Sequence, residues 1–226
     1  MSFPHRFVAV EGNIGTGKTT LCKMLRNHTG AELILEQFTD NPFLENFYEN
    51  PDRFGLQVEL FFLSERYKQL KDHEVVSSLF KDRYFISDYI FIKSLLFASN
   101  NLKENELNLY RRIFEALNTH IPSPDIIFYI HREPDELLCL IAERNRSYEL
   151  KIEKEYLATI QKAYLNYFSS IAEIPVVIID GQGLDYAKKP DDFTFIVDVM
   201  TQEYKKGIHY ISRKKPSFFD QNGNFV

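Results

Sequence analysis

Gly12-Asn13-Ile14-Gly15-Thr16-Gly17-Lys18-Thr19-Thr20 lies between the short apolar run Phe7-Val8-Ala9-Val10 and a helix-forming stretch from Lys18 to Arg26. The spacing G-x-x-x-x-G-K-[ST], set between a buried strand and the start of a helix, marks a loop that wraps phosphate. Its glycines let successive backbone N–H groups turn inward around phosphate oxygens. The helix N-terminus adds partial positive charge. Lys18 is placed to reach the terminal phosphates and the Thr19 hydroxyl to ligate Mg²⁺. The glycine order disfavours a dinucleotide fold, which requires G-x-G-x-x-G.

Outward from this loop the chain alternates short β-branched runs with helical patterns. Strands are expected at Phe7–Val10, Leu33–Leu35, Tyr84–Ile86, Ile126–Ile130 and Val176–Ile179. Helices are expected at Lys18–Arg26, Pro51–Leu70, Ile90–Ala98, Lys103–His120, Asp135–Arg144, Ile152–Ile171 and Phe193–Tyr204, with apolar residues three and four apart. Strands that are apolar throughout and alternate with helices imply an α/β domain, a parallel sheet covered on both faces. No repeat or low-complexity linker divides the chain, so a single domain over residues 1–204 is expected, followed by a basic, poorly periodic tail at 205–226.

Composition narrows the function classes. The chain has 226 residues, and Lys+Arg minus Asp+Glu is 27 − 32 = −5. This mild acidity disfavours a nucleic-acid polymer or an anionic membrane as partner. No apolar run approaches the ~18–20 residues of a membrane span. Met1–Arg6 carries no apolar leader, so a cytoplasmic protein is expected. Cys22 and Cys139 stand far apart and outside any C-x-x-C, which excludes a disulfide scaffold. The phosphate loop alone leaves the fate of the γ-phosphate open between water and a substrate hydroxyl. Asp88 and Asp180, each following an apolar run, are the candidate second acids.

Glu11-Gly12-Asn13-Ile14-Gly15-Thr16-Gly17-Lys18-Thr19-Thr20 resembles the phosphate loop of the deoxynucleoside kinase family, E-G-N-I-G-[SA]-G-K-T-T. Further likenesses follow in order. Glu36 comes at the end of the second strand. Tyr48-Glu49-Asn50-Pro51-Asp52-Arg53-Phe54 is similar to Y-E-x-P-x-R-W, Phe97-Ala98-Ser99-Asn100 repeats a family string, and Arg144-Asn145-Arg146-Ser147-Tyr148-Glu149 is similar to the lid R-G-R-x-x-E. The resemblance spans about Phe7 to Asp180. It implies a three-layer P-loop kinase fold with a five-stranded parallel sheet and a helical lid. It also implies Mg-ATP-dependent phosphorylation of a deoxyribonucleoside 5′-hydroxyl, and a homodimer.

By that resemblance Glu36 would orient the 5′-hydroxyl and accept its proton, while Lys18, Arg144 and Arg146 would hold the transferring phosphate. Tyr48 and Glu149 would bind the sugar 3′-hydroxyl. Glu59 occupies the position of the base-reading glutamine, with Gln57 two residues away; a carboxylate there would suit a base edge rich in N–H groups. Phe54, Phe61, Phe62 and Phe91 could sandwich the base, and all four are also good core residues. Asp180-Gly181-Gln182-Gly183 falls where the family meets the adenine.

One departure matters. The family's third strand ends in E-R-S or D-R-S, whose acid helps hold Mg²⁺ and whose arginine helps hold phosphate. Counting back from Phe97 places Ser87-Asp88-Tyr89 there, with Asp88 as metal-side acid and substrate contact and no arginine. A rival register uses Asp82-Arg83-Tyr84. Without the arginine, a nucleotide-binding module with weak or absent turnover stays open, as does a kinase for a different hydroxyl substrate.

Overall fold

The computed structural model describes residues 3–36, 41–79 and 83–213, with side chains of 73–79 excepted. Strands β1 (Phe7–Gly12), β2 (Glu32–Ile34), β3 (Phe85–Ser87), β4 (Ile126–His131), β5 (Pro175–Asp180) and β6 (Gly207–Ile211) form one sheet in the order β2-β3-β1-β4-β5-β6. Every neighbouring pair is parallel. The helices are α1 (Lys18–Thr29), α2 (Leu44–Glu49), α3 (Pro51–Leu79), α4 (Lys93–Asn101), α5 (Glu104–Asn118), α6 (Pro134–Arg144), α7 (Lys154–Ser170) and α8 (Pro190–Met200).

The alternation of side chains along the central strands explains the layers. Val8 and Val10 of β1, with Ile126, Phe128 and Ile130 of β4, face α1 and α8, where Leu21, Leu25 and Ile196 close one core. Ala9, Ile127 and Tyr129 face the opposite side and pack on Ile160, Tyr164 and Phe168 of α7. A strand buried on both faces must be apolar at every position, which β4 is until His131. Beside α7, α3 to α5 bury Leu63, Leu70, Tyr89 and Tyr110 in a further cluster.

Two expectations change here. The sheet has six strands rather than five. The sixth comes from Gly207–Ile211, residues read from sequence as part of a loose tail, and it pairs with β5 from Pro175↔Gly207 to Ile179↔Ile211. Its edge position leaves it half-buried, so it lacks the continuous apolar run that made the inner strands visible. The short α2 was likewise not expected. Residues 214–226, the rest of the tail, lie outside the described residues.

The carboxyl ends of β1, β2 and β3 lead to the phosphate loop, Glu36 and Asp88 respectively. The chain reverses its order across the sheet at β1, and open parallel sheets bind ligands in the crevice at such a point.

Candidate active site

The phosphate loop is held from three sides. Asn13 donates from Nδ2 to the Leu157 carbonyl at 2.8 Å and accepts the Ile14 N–H at 2.9 Å. The Thr16 hydroxyl donates to the Asn13 carbonyl at 2.7 Å, and the Tyr186 hydroxyl donates to the Thr16 carbonyl at 2.6 Å. Asn13 and Thr16 therefore shape the loop, and both are buried. Gly15 (φ 84°) and Gly17 (φ 89°) sit in the left-handed region. A Cβ on Gly17 would meet the Tyr186 hydroxyl at 2.5 Å, and one on Gly15 would meet Ile141 Cγ1 at 2.7 Å. No side chain caps the start of α1, so its first-turn N–H groups face the cavity for an anion.

Lys18 folds back on its own loop, donating to the Gly12 carbonyl at 2.7 Å and the Asn13 carbonyl at 3.0 Å. Burial, reinforced by Lys93, brings its pKa down to about 8. Thr19 donates to Asp88 Oδ2 at 2.5 Å, and Asp88 Oδ1 accepts the Glu36 backbone N–H at 2.7 Å. Asp88 thus links the loop to the residue closing β2. Burial raises its pKa, with the Glu36 charge adding to the effect.

Glu36 carries the densest electrostatics of the site. Arg66 of α3 donates to its Oε1 from Nε at 2.8 Å and Nη2 at 2.5 Å, and Lys93 donates to Oε2 at 2.7 Å. Burial by itself would raise the pKa of this carboxyl. Lys93 and then Arg66 outweigh burial and hold it far below the usual carboxylate range. Arg66 also donates to Ser94 Oγ at 2.9 Å, which fixes its plane.

Neither Lys93 nor Arg66 was singled out from sequence. Lys93 opens α4 five residues after Asp88 and is 5% exposed. A buried cation thus reaches the Glu36 carboxylate from the helix after β3 rather than from the strand end. The available signal was a lone lysine inside the apolar run Ile90-Phe91-Ile92-Lys93-Ser94-Leu95-Leu96. Arg83 of the rival register does not line the cavity. Arg83 precedes β3 and pairs with Glu32 at the amino ends of β2 and β3, away from the loop. Asp82 lies outside the described residues.

These groups line one cavity of about 850 Å³, within the range of small-molecule sites. Ile14 to Thr20 and Gly183 to Lys189 line its loop side; Leu44, Phe47, Tyr48, Glu59, Phe97 and Tyr156 line the other; Glu36, Arg66, Asp88 and Lys93 stand between. Arg144 and Arg146 reach in from the end of α6, and both are ion-paired to Glu149, Arg146 at 3.2 Å. Asn145 takes φ 54° between them, ending α6 so that both arginines turn toward the cavity. Glu149, on a single 3-10 turn (Glu149–Lys151), is buried and anchors the arginines. Tyr48 stacks on Tyr148 of this segment with centroids 6.0 Å apart, and burial keeps its hydroxyl protonated well past its ordinary pKa.

The structure separates the base-site candidates. Glu59 lines the cavity; Gln57, about 200° around the same helix, is exposed. Phe54 packs on Leu44, Phe47 and Val58, one turn out from the cavity wall, and carries Arg53 over its ring at 5.3 Å. Phe91 is stacked on Phe114 in the core at 5.0 Å, and Phe61 also lies off the wall. Phe62 is on the wall, joined there by Phe47 and Phe97. Asp180 is turned to the sheet edge, where it accepts the Ser212 hydroxyl at 2.9 Å; Gly183, three residues on, is the member of that string that lines the cavity.

A family model for deoxynucleoside kinase matches residues 8–205. A deoxyguanosine kinase of Bacillus subtilis is 37% identical over 191 residues, covering 83% of this chain and 92% of that protein. A deoxyadenosine/deoxycytidine kinase of the same organism is 27% identical over 197 residues, covering 86% and 91%. The fold is shared with a structure of deoxyadenosine kinase from M. mycoides with bound dATP, at a TM-score of 0.73 and 24% identity, over 86% of this chain and 98% of that one.

Proposed function

Because the chain belongs to the deoxynucleoside kinase family, we propose that its cavity performs that family's reaction with ATP as donor, moving the γ-phosphoryl group onto the 5′-hydroxyl of a deoxyribonucleoside. The observation that carries this reading is Glu36, a carboxylate at the carboxyl end of the sheet, beside the phosphate loop and held by two cations. The turnover-poor alternative rested on the missing arginine, and Lys93 supplies a cation in its stead.

Phosphoryl transfer passes through a loose transition state, so positioning and charge matter more than early proton removal. A carboxyl held as low as Glu36 is a poor early base. Its work is to accept the 5′-O–H as a hydrogen bond, align the oxygen and take the proton once the P–O bond is forming. Lys93 and Arg66 keep it ionised, and Lys93 adds positive charge near Lys18. Lys18, released from its loop carbonyls by a triphosphate, and Arg144 and Arg146 meet the charge spreading over the transferred group's oxygens. Tyr48 and Glu149 close over the sugar.

The donor set suits Mg²⁺. Thr19 and Asp88 offer hard oxygens side by side at the start of α1, and Mg²⁺ takes its remaining positions from phosphate and water. Among the described residues no group of three or more His, Cys, Asp or Glu could hold an ion unaided. When bound there the ion would neutralise charge on the donor phosphates.

A cytoplasmic location fits this reading: both cysteines are free, and no helix of the described residues is long and apolar enough to cross a membrane. On the family argument we take the working form to be a homodimer, which sedimentation velocity would check. The function itself is tested by a coupled ADP-release assay with each of the four deoxyribonucleosides and Mg-ATP. Release with at least one, abolished in Lys18→Ala and reduced at least ~100-fold in Glu36→Gln, supports it. ATP binding with no nucleoside-dependent release refutes it.

A further inference from the structure

The loop between β5 and α8 walls the cavity beside the phosphate loop through Gly183 to Lys189, and its Tyr186 hydroxyl holds the Thr16 carbonyl. Two consecutive residues after β6 grip both ends of this loop. At its start, the Ser212 hydroxyl donates to Asp180 Oδ2 at 2.9 Å, and Asp180 Oδ1 accepts the Gln182 N–H at 3.0 Å. At its end, Arg213 donates from Nη1 to Asp192 Oδ1 at 2.5 Å and from Nη2 to the Asp191 carbonyl at 2.8 Å. Asp192 is buried, and its Oδ2 accepts the N–H of Asp185, the residue before Tyr186, at 2.7 Å. A continuous path of polar contacts therefore runs from Arg213 through Asp192 and the Asp185–Tyr186 segment to the phosphate loop. Pairing with β5 as far as Ile179↔Ile211 is what delivers Ser212 and Arg213 to the carboxyl end of the sheet. Both residues lie beyond 8–205, the stretch the family model matches.

We propose that Ser212 and Arg213 are positioning residues that set the affinity for the nucleotide donor, by holding the β5–α8 loop in place against the phosphate loop. The proposal rests on the kinase reading above, which makes ATP the donor. A loop ordered before its ligand arrives spares that ligand the cost of ordering it. Loosening the loop weakens donor binding alike in the ground and transition states, which raises KM and leaves kcat. Arg213 is exposed, and an exposed ion pair is by itself worth little. Here the pair has a buried carboxylate, a second N–H on the Asp191 carbonyl, and the Phe195 ring under the guanidinium at 5.1 Å. The amino end of β6 supplies the contrast: Lys206 pairs with Glu173 at 2.9 Å, both side chains are exposed, and neither lines the cavity.

The experiment measures KM and kcat for Mg-ATP at a saturating concentration of the best of the four deoxyribonucleosides, and Kd for Mg-ATP alone by calorimetry. It compares the full chain with Arg213→Ala, with Ser212→Ala and Arg213→Ala combined, and with Lys206→Ala, each checked for folding by thermal melting. Arg213→Ala should raise KM and Kd for ATP about tenfold, the low end for hydrogen bonds to a charged partner because the site is exposed. The combined variant should raise them further. In both, kcat and the nucleoside KM should stay within about twofold of the parent. Lys206→Ala should leave the ATP constants unchanged. An ATP KM within twofold of the parent in the folded combined variant would overturn the proposal. So would a fall in kcat as large as the rise in KM, or an equal loss of ATP affinity in Lys206→Ala. If the unaltered chain phosphorylates no nucleoside, the kinase reading fails, and the ATP Kd of Arg213→Ala still decides whether the loop is held from β6.

Discussion

Replacing Lys93 with methionine removes a buried cation while keeping most of the volume of its stem. Lys93 donates to Glu36 Oε2 at 2.7 Å, whereas Arg66 keeps both of its bonds to Oε1. The stability cost should therefore fall below the ~3–5 kcal/mol of stripping a buried ion pair entirely. The catalytic cost should be larger in proportion. A cation beside the carboxylate and the transferring phosphate is worth ~10²–10³ in kcat, or about 3–4 kcal/mol. The nucleoside KM should move less than about threefold, since the charge Lys93 meets builds up mainly in the transition state. A second readout separates this role from a structural one. Lys93 is the largest influence lowering the Glu36 pKa, so its loss lets that pKa rise. Activity needs ionised Glu36, so the acid limb of the kcat profile moves to higher pH. Lys93→Arg should restore most of kcat and return the acid limb. Stopped-flow or coupled assays over pH 4–9, with thermal melting to check folding, would measure all of this. A folded Lys93→Met enzyme with kcat within threefold of the parent and an unmoved acid limb would refute the reasoning.

Arg144→Ala should lower kcat by ~10²-fold or more with little change in nucleoside Kd, because its guanidinium meets developing charge; equal damage to both, by steady-state kinetics and calorimetry, would contradict it. Asp88→Asn should raise the Mg²⁺ concentration for half-maximal rate by about tenfold or more while the enzyme stays folded, as a metal titration of the initial rate would show. Burial pushes the Glu59 pKa up to about 7, against Arg66, Asn101 and Lys93 and with Glu36, the groups facing it. It is ionised above that pH and protonated below it. Because Glu59 lines the cavity, the deoxyguanosine-to-deoxyadenosine ratio of kcat/KM should therefore change as pH drops from 8 to 6, by up to about tenfold per unit below the pKa, and taking the ratio cancels the titration of Glu36. A ratio flat across that range would contradict the prediction.

What the sequence revealed follows from how strongly each feature constrains residues locally. The inner strands are buried on both faces, so Phe7–Val10, Ile126–Ile130 and Val176–Ile179 stand out as apolar runs. The edge strand Gly207–Ile211 is half-wet and mixes His and Tyr with its apolar residues, so it read as tail. The phosphate loop is legible because backbone geometry demands glycine at Gly15 and Gly17. Asp88 was legible as an acid after an apolar strand, where the sheet aims its ligands; Glu36 was legible only through the family resemblance. Lys93 and Arg66 were harder: each lies on a helix, and their convergence on Glu36 is a tertiary event with no fixed spacing. Gln57 and Glu59 differ by two positions, and only their placement on α3 decides that the second faces the cavity.

The central claim is spatial: a sugar hydroxyl meets the γ-phosphate at Glu36. A crystal structure of the full chain with deoxyguanosine and a non-hydrolysable ATP analogue tests it most directly. The account predicts the 5′-oxygen within about 3.2 Å of a Glu36 carboxylate oxygen, in line with the γ-phosphorus, and Lys18 moved from its loop carbonyls onto the phosphates. A nucleoside bound with its 5′-oxygen away from Glu36, or a triphosphate seated outside the Gly12–Thr19 loop, would contradict it.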